Sequence, residues 1–311
     1  MSYSNILKTI QSGGTVILDG AIGTELEKRG VMMDDNAWCG VATATNLEEL
    51  CGIHRDYIEA GADIITANTY ASNRAMLEAA GLGDQVEQIN RSAVETAIKA
   101  REDSGNPDIV IAGSISHAVP AQFNVTSPSY GTGPTTTPDT SRYASAFSEL
   151  AETLKDAGCE LLLLDMMYDP QRIPLAVEAA LATGLPVWAG VSSRRSEDGS
   201  IISYLQTEEV PFDNIARMVA EYDMDVMGVM HSPSDVIAGS LEIVRKYYDG
   251  PLSAYPDSGY FRMPNWIFED VISPDDLLAF AQQWKLSGVQ ILGGCCGLSP
   301  EHIAAISPLK S

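Results

Sequence analysis

Short, nearly continuous apolar runs alternate with longer amphipathic stretches along the whole 311-residue chain. The amphipathic stretches carry apolar residues at spacings of three and four, which is typical of helices that cover a core. The apolar runs have the length of strands: TVILD (15–19), ADIITAN (62–68), DIVIAGS (108–114), ELLLLD (160–165), PVWAGV (186–191), DVMGVM (225–230), PLSAY (251–255) and VQILGG (289–294). Apolar strands that alternate with helices predict a parallel sheet with both faces covered.

Eight such strands favour closure into a (β/α)8 TIM barrel over an open sheet. An open nucleotide-binding sheet would be expected to carry a glycine-rich phosphate loop near its first strand, and residues 18–30 carry none. No linker or composition shift divides the chain, so we expect residues 1–311 to form a single α/β barrel domain. The segment 115–137 is rich in Pro, Gly, Ser and Thr, and we expect it to lie over the barrel mouth.

The charge balance limits the kinds of partner. There are 19 Lys and Arg residues against 42 Asp and Glu residues, a formal charge of −23, and no basic run. A surface of this charge repels phosphate groups, so we expect no nucleic-acid and no membrane partner. The chain also lacks a signal peptide and a long apolar span, and its five cysteines are an odd number. We therefore expect a cytoplasmic protein with reduced thiols.

Polar residues follow the predicted strands, where the active sites of such barrels lie. In chain order they are Asp19, Asn68, Thr69, Ser114, Asp165, Ser192, His231, Tyr255, Cys295 and Cys296. This edge of the sheet is the predicted active site.

Three of these residues are soft-metal ligands. His231 follows the sixth predicted strand, and Cys295 and Cys296 follow the eighth. Two thiolates and one imidazole suit a catalytic Zn²⁺ with an open fourth position, and the glycines of GGCCG (293–297) allow a close backbone approach. Spacing alone leaves another reading open, since single histidines and buried cysteines are commonly structural.

The remaining ionisable residues at the mouth have two readings each. Asp19 and Asp165 are either solvated loop carboxylates or ligands of a cationic amino group. His117 is either a substrate contact or a solvated loop histidine. Four further residues have no partner at metal-ligand spacing and are expected to be structural: Cys39, Cys51, His54 and Cys159.

Four segments resemble the homocysteine S-methyltransferase family: LDGAIGTELEKRG (18–30), HRDYIEAGADIITANTY (54–70), PVWAGVSS (186–193) and GGCCGLSPEHI (293–303). They span nearly the whole chain in the family's order. The resemblance implies a zinc-binding (β/α)8 barrel.

The resemblance also assigns roles to residues. In the family three cysteines hold a zinc ion that coordinates the homocysteine thiol, and the last two match Cys295 and Cys296. The first position is occupied here by His231, in the sequence GVMH (228–231). The family's aspartate that binds the amino group of homocysteine matches Asp19, and Asp165 stands where the family usually has a glutamate.

These matches predict a zinc-dependent S-methyltransferase. We expect Asp19 and Asp165 to be catalytic and to bind substrate together with the polar residues Asn68, Thr69, Ser114 and Tyr255. The donor would be a small sulfonium or quaternary ammonium compound such as S-methylmethionine, and homocysteine would be converted to methionine. An imidazole in place of a thiolate makes the bound sulfur less electron-rich, which leaves open a more reactive donor, a different thiol acceptor or a metal other than zinc.

Two other functions remain open at this stage. A His-Cys-Cys zinc site can activate water for hydrolysis, and a barrel of this kind can bind a thiol or sulfonium compound without turnover. Since 311 residues leave no room for a cobalamin or folate module, we expect a small, free donor. A separate corrinoid protein partner and a homo-oligomer also remain open.

Overall fold

The computed structural model describes residues 2–120, 140–262 and 264–310. Its strands are β1 (Val16–Ile17), β2 (Ile64–Ala67), β3 (Val110–Ser116), β4 (Leu161–Met167), β5 (Val187–Val191), β6 (Ser193–Arg195), β7 (Ile201–Ser203), β8 (Val226–Pro233), β9 (Leu252–Asp257), β10 (Tyr260–Arg262), β11 (Asn265–Ile267) and β12 (Val289–Leu292).

The helices fall between the strands, as the alternation predicts. They are α1 (Ser2–Gln11), α2 (Ile22–Lys28), α3 (Ala42–Thr45), α4 (Leu47–Glu59), α5 (Arg74–Ala79), α6 (Val86–Ser104), α7 (Thr140–Ala157), α8 (Ile173–Ala182), α9 (Phe212–Ala220), α10 (Ser234–Val244), α11 (Pro274–Leu286) and α12 (Pro300–Ile306). Short 3-10 turns occur at Cys39–Val41, Gly83–Gln85 and Ser307–Leu309.

Eight parallel strands form the barrel, in the order β1-β12-β9-β8-β5-β4-β3-β2. A parallel bridge between Leu18 and Ile64 joins the two ends of this sheet. The bridge is reinforced by backbone hydrogen bonds from Asp19 N to Ile64 O, 3.0 Å, and from Asp63 N to Ile17 O, 2.7 Å. All eight strands predicted from the sequence are present, and the predicted TIM-barrel class is confirmed.

Successive residues of each strand face opposite sides of the sheet, which divides the core into two layers. On β4, Leu161 and Leu163 pack in the barrel interior, whereas Leu162 and Leu164 pack under the surrounding helices. Because both sides of the strand are buried, its sequence is continuously apolar rather than alternating.

Helix α1 closes the amino-terminal end of the barrel. Ile6 and Ile10 pack into the interior cluster, and Trp188 of β5 donates its indole N–H to the Tyr3 hydroxyl at 3.2 Å. This plug leaves the opposite, carboxyl-terminal end as the open one.

Two antiparallel hairpins, β6-β7 and β10-β11, were not predicted from the sequence. Their strands are only three residues long, too short to give a periodic signal. The segment predicted to lie over the mouth extends over 115–137, of which residues 121–137 lie outside the described residues. None of the described helices combines the length and the apolarity needed to cross a bilayer.

Candidate functional site

The carboxyl-terminal end of the barrel carries a polar layer above the apolar interior. Thr66, Ser114 and Asp165 each lie two residues beyond a residue of the interior cluster, and Tyr255 belongs to that cluster itself. Strand alternation therefore directs all four side chains toward the same space, where they line one open cavity.

Asp19, at the end of the first strand region, is buried, and both of its carboxylate oxygens accept hydrogen bonds from Thr66. Thr66 N–H donates to Asp19 Oδ2 at 2.7 Å, and the Thr66 hydroxyl donates to Oδ1 at 2.8 Å. Burial raises the pKa of Asp19 to about 7, against the lowering effect of these hydrogen bonds and with a further rise from Asp165. The carboxyl group is thus poised to gain or lose a proton near neutral pH.

Asp165 is the second buried carboxyl group of the mouth. Ser114 Oγ donates to its Oδ2, and Tyr255 donates to its Oδ1 at 3.3 Å. Burial raises the pKa of Asp165 to about 6, although the two hydrogen bonds and nearby His231 lower it. Asp19 and Asp165, the carboxylate pair, are therefore bonded to neutral donors and have no cationic Lys or Arg among these partners.

His231, Cys295 and Cys296 form a second group, the thiol–imidazole cluster. One ligand atom from each lies within 4.8 Å of the other two. His231 Nδ1 is 3.4 Å from Cys295 Sγ, and the two sulfur atoms are 4.0 Å apart. The cluster lines the same cavity as the carboxylate pair.

The backbone at the cluster is unusual in two places. His231 has φ +43°, a conformation that non-glycine residues seldom adopt and that is typically maintained at functional sites. Gly297, directly after the cysteines, has φ +83°, and a Cβ atom there would lie 1.9 Å from Ser258 O. The turn that presents the two thiols therefore requires glycine at its end.

The residues before the turn are held close to the first strand. A Cβ atom on Gly293 would lie 2.9 Å from Leu18 Cβ, so the close approach expected of the glycines is observed. Cys295 N–H donates to Pro256 O at 2.7 Å, and Ser258 N–H donates to Cys296 O at 2.9 Å. These bonds fix the thiols against the end of β9.

The cluster has the dimensions of a zinc site. Tetrahedral Zn²⁺ with Zn–S of about 2.3 Å and Zn–N of about 2.0 Å places sulfur atoms about 3.8 Å apart and nitrogen about 3.5 Å from sulfur. The measured separations, 4.0 Å and 3.4 Å, differ from these by a few tenths of an ångström. Two cysteines and a histidine are also the donor types that zinc prefers.

The protonation of the metal-free cluster is set by its neighbours. The hydrogen bond with Cys296, together with burial, raises the pKa of Cys295 well above its ordinary value. Burial lowers the pKa of His231, but the charges of Asp257 and Cys295 outweigh it and leave the value at about 9. Binding of a cation would reverse both states, because ligands bind as thiolate and neutral imidazole.

Comparison with known proteins bears on this site. The sequence model of the family described as homocysteine S-methyltransferase matches residues 16–309. The chain belongs to the homocysteine S-methyltransferase family. It is accordingly a methyltransferase, which decides against the hydrolytic and the non-catalytic functions left open by the sequence.

Individual relatives are distant but cover the chain. A selenocysteine Se-methyltransferase from Brassica oleracea var. italica is 28% identical, over 98% of this chain and 91% of its own length. Homocysteine S-methyltransferase 2 from Zea mays is 26% identical, over 95% and 89%. The metallated form of the homocysteine methyltransferase MmuM from Escherichia coli superimposes with a TM-score of 0.77 at 24% identity, over 99% of both chains, which supports the fold.

Not every residue predicted to bind substrate lies on the cavity of this family member. Thr69 does not: its hydroxyl donates to Ser114 O at 2.8 Å and accepts from Ser114 N–H at 3.1 Å, so it joins two strands. Asn68 borders the cavity, but its amide donates to Cys39 O and Thr43 Oγ1 at 2.9 and 3.1 Å. We assign both a supporting role.

The position of His117 agrees with neither interpretation that the sequence left open, a substrate contact or a solvated loop histidine. It is buried, and its Nε2 accepts the backbone N–H groups of Tyr168 and Asp169 at 3.0 and 3.2 Å. It is neither solvated nor part of the cavity lining. It braces the loop after β4, where Arg172 pairs with Asp169 at 2.7 Å.

Other mouth residues were missed by sequence reasoning. Thr66, the partner of Asp19, lies inside an apolar run and looks like a β-branched strand residue. An aromatic wall lines the cavity and consists of Trp38, Tyr70, Tyr204, Phe261 and Trp266. These residues come from loops and hairpins far apart in the chain, among polar residues that give no signal of burial. Cys39, expected to be structural, is buried and also lines the cavity.

Proposed function

We propose that this methyltransferase moves a methyl group from a small sulfonium or quaternary ammonium donor to the thiol of homocysteine, and that His231, Cys295 and Cys296 hold a zinc ion for this reaction. The observation that carries the proposal is the convergence of these three ligand atoms within 4.8 Å, on the same cavity as the carboxylate pair. When bound there, zinc would keep the acceptor sulfur deprotonated at neutral pH, where a free thiol is mostly protonated.

The carboxylate pair is suited to the ammonium group of the acceptor. Asp19 and Asp165 are buried, they line the cavity, and their present partners are neutral hydroxyl and amide donors. An ammonium group placed between them would favour the ionised carboxylates that burial alone disfavours. The pair would thereby orient the amino acid with its sulfur toward the cluster.

The aromatic wall is suited to a cationic donor. Ring faces attract ammonium and sulfonium cations, most strongly where water is excluded. Trp38 Nε1 is buried, and it has no hydrogen-bond partner among the described residues. Its N–H is available to an acceptor such as a donor carboxylate. An amino-acid sulfonium such as S-methylmethionine carries both features.

The reaction requires no further redox partner. The homocysteine sulfur forms a bond to the methyl carbon, the bond from that carbon to the donor sulfur breaks, and the electron pair leaves with the donor. The sulfonium becomes a neutral thioether, and the thiol proton is released to solvent. A selenol acceptor would follow the same course, which makes selenocysteine the second acceptor to test in view of the Brassica relative.

Several further expectations stay predictions. They are a single barrel domain over residues 1–311 and a cytoplasmic location that keeps the ligand thiols reduced, and self-association into a homo-oligomer stays an open alternative. Small molecules are the proposed partners, whereas a corrinoid protein would be needed only if no free donor is used.

The test is a matrix of methyl donors and acceptors with the reduced, zinc-loaded protein. The donors are S-methylmethionine, S-adenosylmethionine and betaine, and the acceptors are homocysteine, selenocysteine and 4-sulfanylbutanoate, which lacks the amino group. We expect S-methylmethionine with homocysteine to turn over, and 4-sulfanylbutanoate to be a poor acceptor. Absence of methyl transfer for every pair would overturn the proposal, and full turnover with this first pair would remove the need for a more reactive donor or another thiol.

A further inference from the structure

The end of β9 places a buried carboxyl group beside the thiol–imidazole cluster. Asp257 is 7% exposed and lies two residues beyond Tyr255, at which the predicted seventh strand ended. In the structure β9 continues to Asp257, which pairs with Pro233 of β8 after a register shift between Met230 and Pro233. This pairing brings the aspartate next to His231.

The two nitrogens of the His231 ring face different partners. Nε2 lies 3.5 Å from Asp257 Oδ2, and Nδ1 lies 3.4 Å from Cys295 Sγ. The ring thus bridges a carboxyl group and a thiol through its opposite sides. A nitrogen that donates its hydrogen to one partner leaves the other nitrogen with a free lone pair.

The ring is also held from its sides. Tyr204 and Trp266 make edge contacts with it, with ring centroids 5.1 and 5.8 Å away. Trp266 is fixed in turn, since its Nε1–H donates to Ser258 O at 3.0 Å. Rotation of the imidazole that would exchange the two nitrogens has to displace these aromatic rings.

We propose that Asp257 is a positioning residue of the metal site, which accepts the Nε2–H of His231 and thereby presents Nδ1 to the metal. The proposal rests on the zinc site of the proposed function. Carboxylate partners of this kind fix the tautomer and ring orientation of metal-binding histidines and increase their basicity. A neutral imidazole brings less negative charge to the metal than a thiolate does. Through its hydrogen bond to the imidazole, Asp257 would restore part of that charge.

The experiment measures zinc affinity of the reduced, full-length protein by competition with a chromophoric chelator. The variants are Asp257→Ala, Asp257→Asn and the matched control Asp235→Asn, an exposed aspartate on the neighbouring α10. We expect Asp257→Ala to weaken zinc binding roughly 10- to 100-fold, Asp257→Asn to weaken it less because an amide oxygen still accepts a hydrogen bond, and the control to leave it unchanged.

A second measurement reports the tautomer itself. Long-range ¹⁵N–¹H correlation spectra of the zinc-loaded protein show which ring nitrogen of His231 carries the proton. We expect Nε2–H in the wild type and a loss of this single state in Asp257→Ala, an effect that a purely structural role of Asp257 would not produce. If Asp257→Ala does not fold, Asp257→Leu, which is similar in size and cannot accept a hydrogen bond, carries the same test.

The outcomes separate this inference from the function on which it rests. Wild-type zinc affinity and an unchanged tautomer in a folded Asp257 variant would overturn the role of Asp257 while leaving the zinc site intact. If His231→Ala and the double variant Cys295→Ala/Cys296→Ala also retain tightly bound zinc, the proposed metal site itself is wrong.

Discussion

The thiol–imidazole cluster and the carboxylate pair share one cavity, but they are built differently. Asp165 lies on β4 beside a register shift toward β5, and it is held by side chains of two other strands, Ser114 of β3 and Tyr255 of β9. The cluster instead depends on backbone that departs from regular structure, with φ +43° at His231 and φ +83° at Gly297. Side-chain hydrogen bonds from other strands position the carboxylates, whereas irregular backbone at the ligands themselves positions the cluster.

The difference suggests a division of labour. Hydrogen bonds from neighbouring side chains hold the carboxylates firmly enough to bind an ammonium group, whereas two ligands from one tight turn and a third from another strand can surround a single atom. Substitutions should therefore separate into those that remove the metal and those that weaken acceptor binding with the metal retained. Zinc content and KM for homocysteine, measured on the same variants, test that separation.

The largest effect is expected from the double variant Cys295→Ala/Cys296→Ala. Loss of both thiolates leaves one imidazole, which cannot retain zinc, and an unligated thiol acceptor is mostly protonated at neutral pH. We expect loss of bound zinc and a fall in kcat/KM of at least about 100-fold. Metal content and methyl-transfer rate are measured on the same preparations.

The matched control for that variant is Cys51→Ala. Cys51 is buried on α4 and does not line the cavity. It should keep its zinc and its activity. Equal loss of zinc in both variants would point to general damage by cysteine removal rather than to ligation.

The next largest effect is expected from Asp19→Asn. An amide removes the charge that would pair with the acceptor ammonium, and hydrogen bonds to charged groups contribute roughly 1.5–3 kcal/mol. We therefore expect KM for homocysteine to rise roughly 10- to 150-fold, with zinc content unchanged. Asp108→Asn, at an exposed position, serves as the control. Loss of zinc in Asp19→Asn would contradict the division between the two regions.

The fold was predictable because its signal is redundant. Leu161 to Leu164 are buried on both sides of β4, so the strand reads as apolar whichever side is considered. The same pattern recurs eight times, and an error in one strand boundary leaves the topology unchanged. Boundaries were less certain: β8 extends past Met230, so His231 lies within the strand rather than after it.

The site was predictable only where polar residues end apolar runs. Asp19, Asp165, His231 and the two cysteines carry that signal. Thr66 does not, because a threonine inside a strand is ordinary, and Asp257 follows Pro256 beyond the run that marked the strand. Thr69 shows the converse case, since the hydroxyl of a polar residue at a strand end can be occupied by backbone hydrogen bonds.

A pH titration should move acceptor use and the carboxylate pair's contribution to stability in opposite directions. Burial raises the pKa of Asp19 to about 7 and of Asp165 to about 6, so the folded protein binds more protons than the unfolded chain between about pH 4 and 7. The contribution of the carboxylate pair to the stability of the metal-free protein should therefore fall as pH rises through this window. Buried His54 and His117, whose pKa burial lowers to about 3, contribute with the opposite sign, so the pair's contribution is read as the difference between the wild type and Asp19→Asn. Since ammonium binding needs ionised carboxylates, kcat/KM for homocysteine should rise through it.

The control for this titration is the acceptor without an amino group. With 4-sulfanylbutanoate and saturating zinc, the rise attributable to the carboxylate pair should be absent. Asp19→Asn should flatten the pH profile of kcat/KM for homocysteine and remove the contribution of Asp19 to the pH profile of stability. A rise of the same steepness with both acceptors would place the titrating group in the thiol–imidazole cluster instead of the carboxylate pair.

The smallest effect is expected from Tyr255→Phe. The lost hydrogen bond to Asp165 is 3.3 Å long, and Ser114 continues to donate to the other carboxylate oxygen. A hydrogen bond of this kind contributes about 1 kcal/mol, so KM for homocysteine should rise about fivefold while zinc content stays at the wild-type level. Tyr248→Phe, whose hydroxyl donates to Met224 O away from the cavity, is the control.

This variant is informative because the barrel makes room for the Tyr255 hydroxyl at a specific position. A Cβ atom on Gly190 of β5 would lie 2.2 Å from the Tyr255 oxygen, so the reach of Tyr255 toward Asp165 depends on a glycine two strands away. If the bond orients Asp165 toward the acceptor, Tyr255→Phe and Gly190→Ala should raise the same constant, KM, and leave zinc in place. A loss of zinc in either would show that the carboxylate pair and the thiol–imidazole cluster are one mechanically coupled unit rather than two.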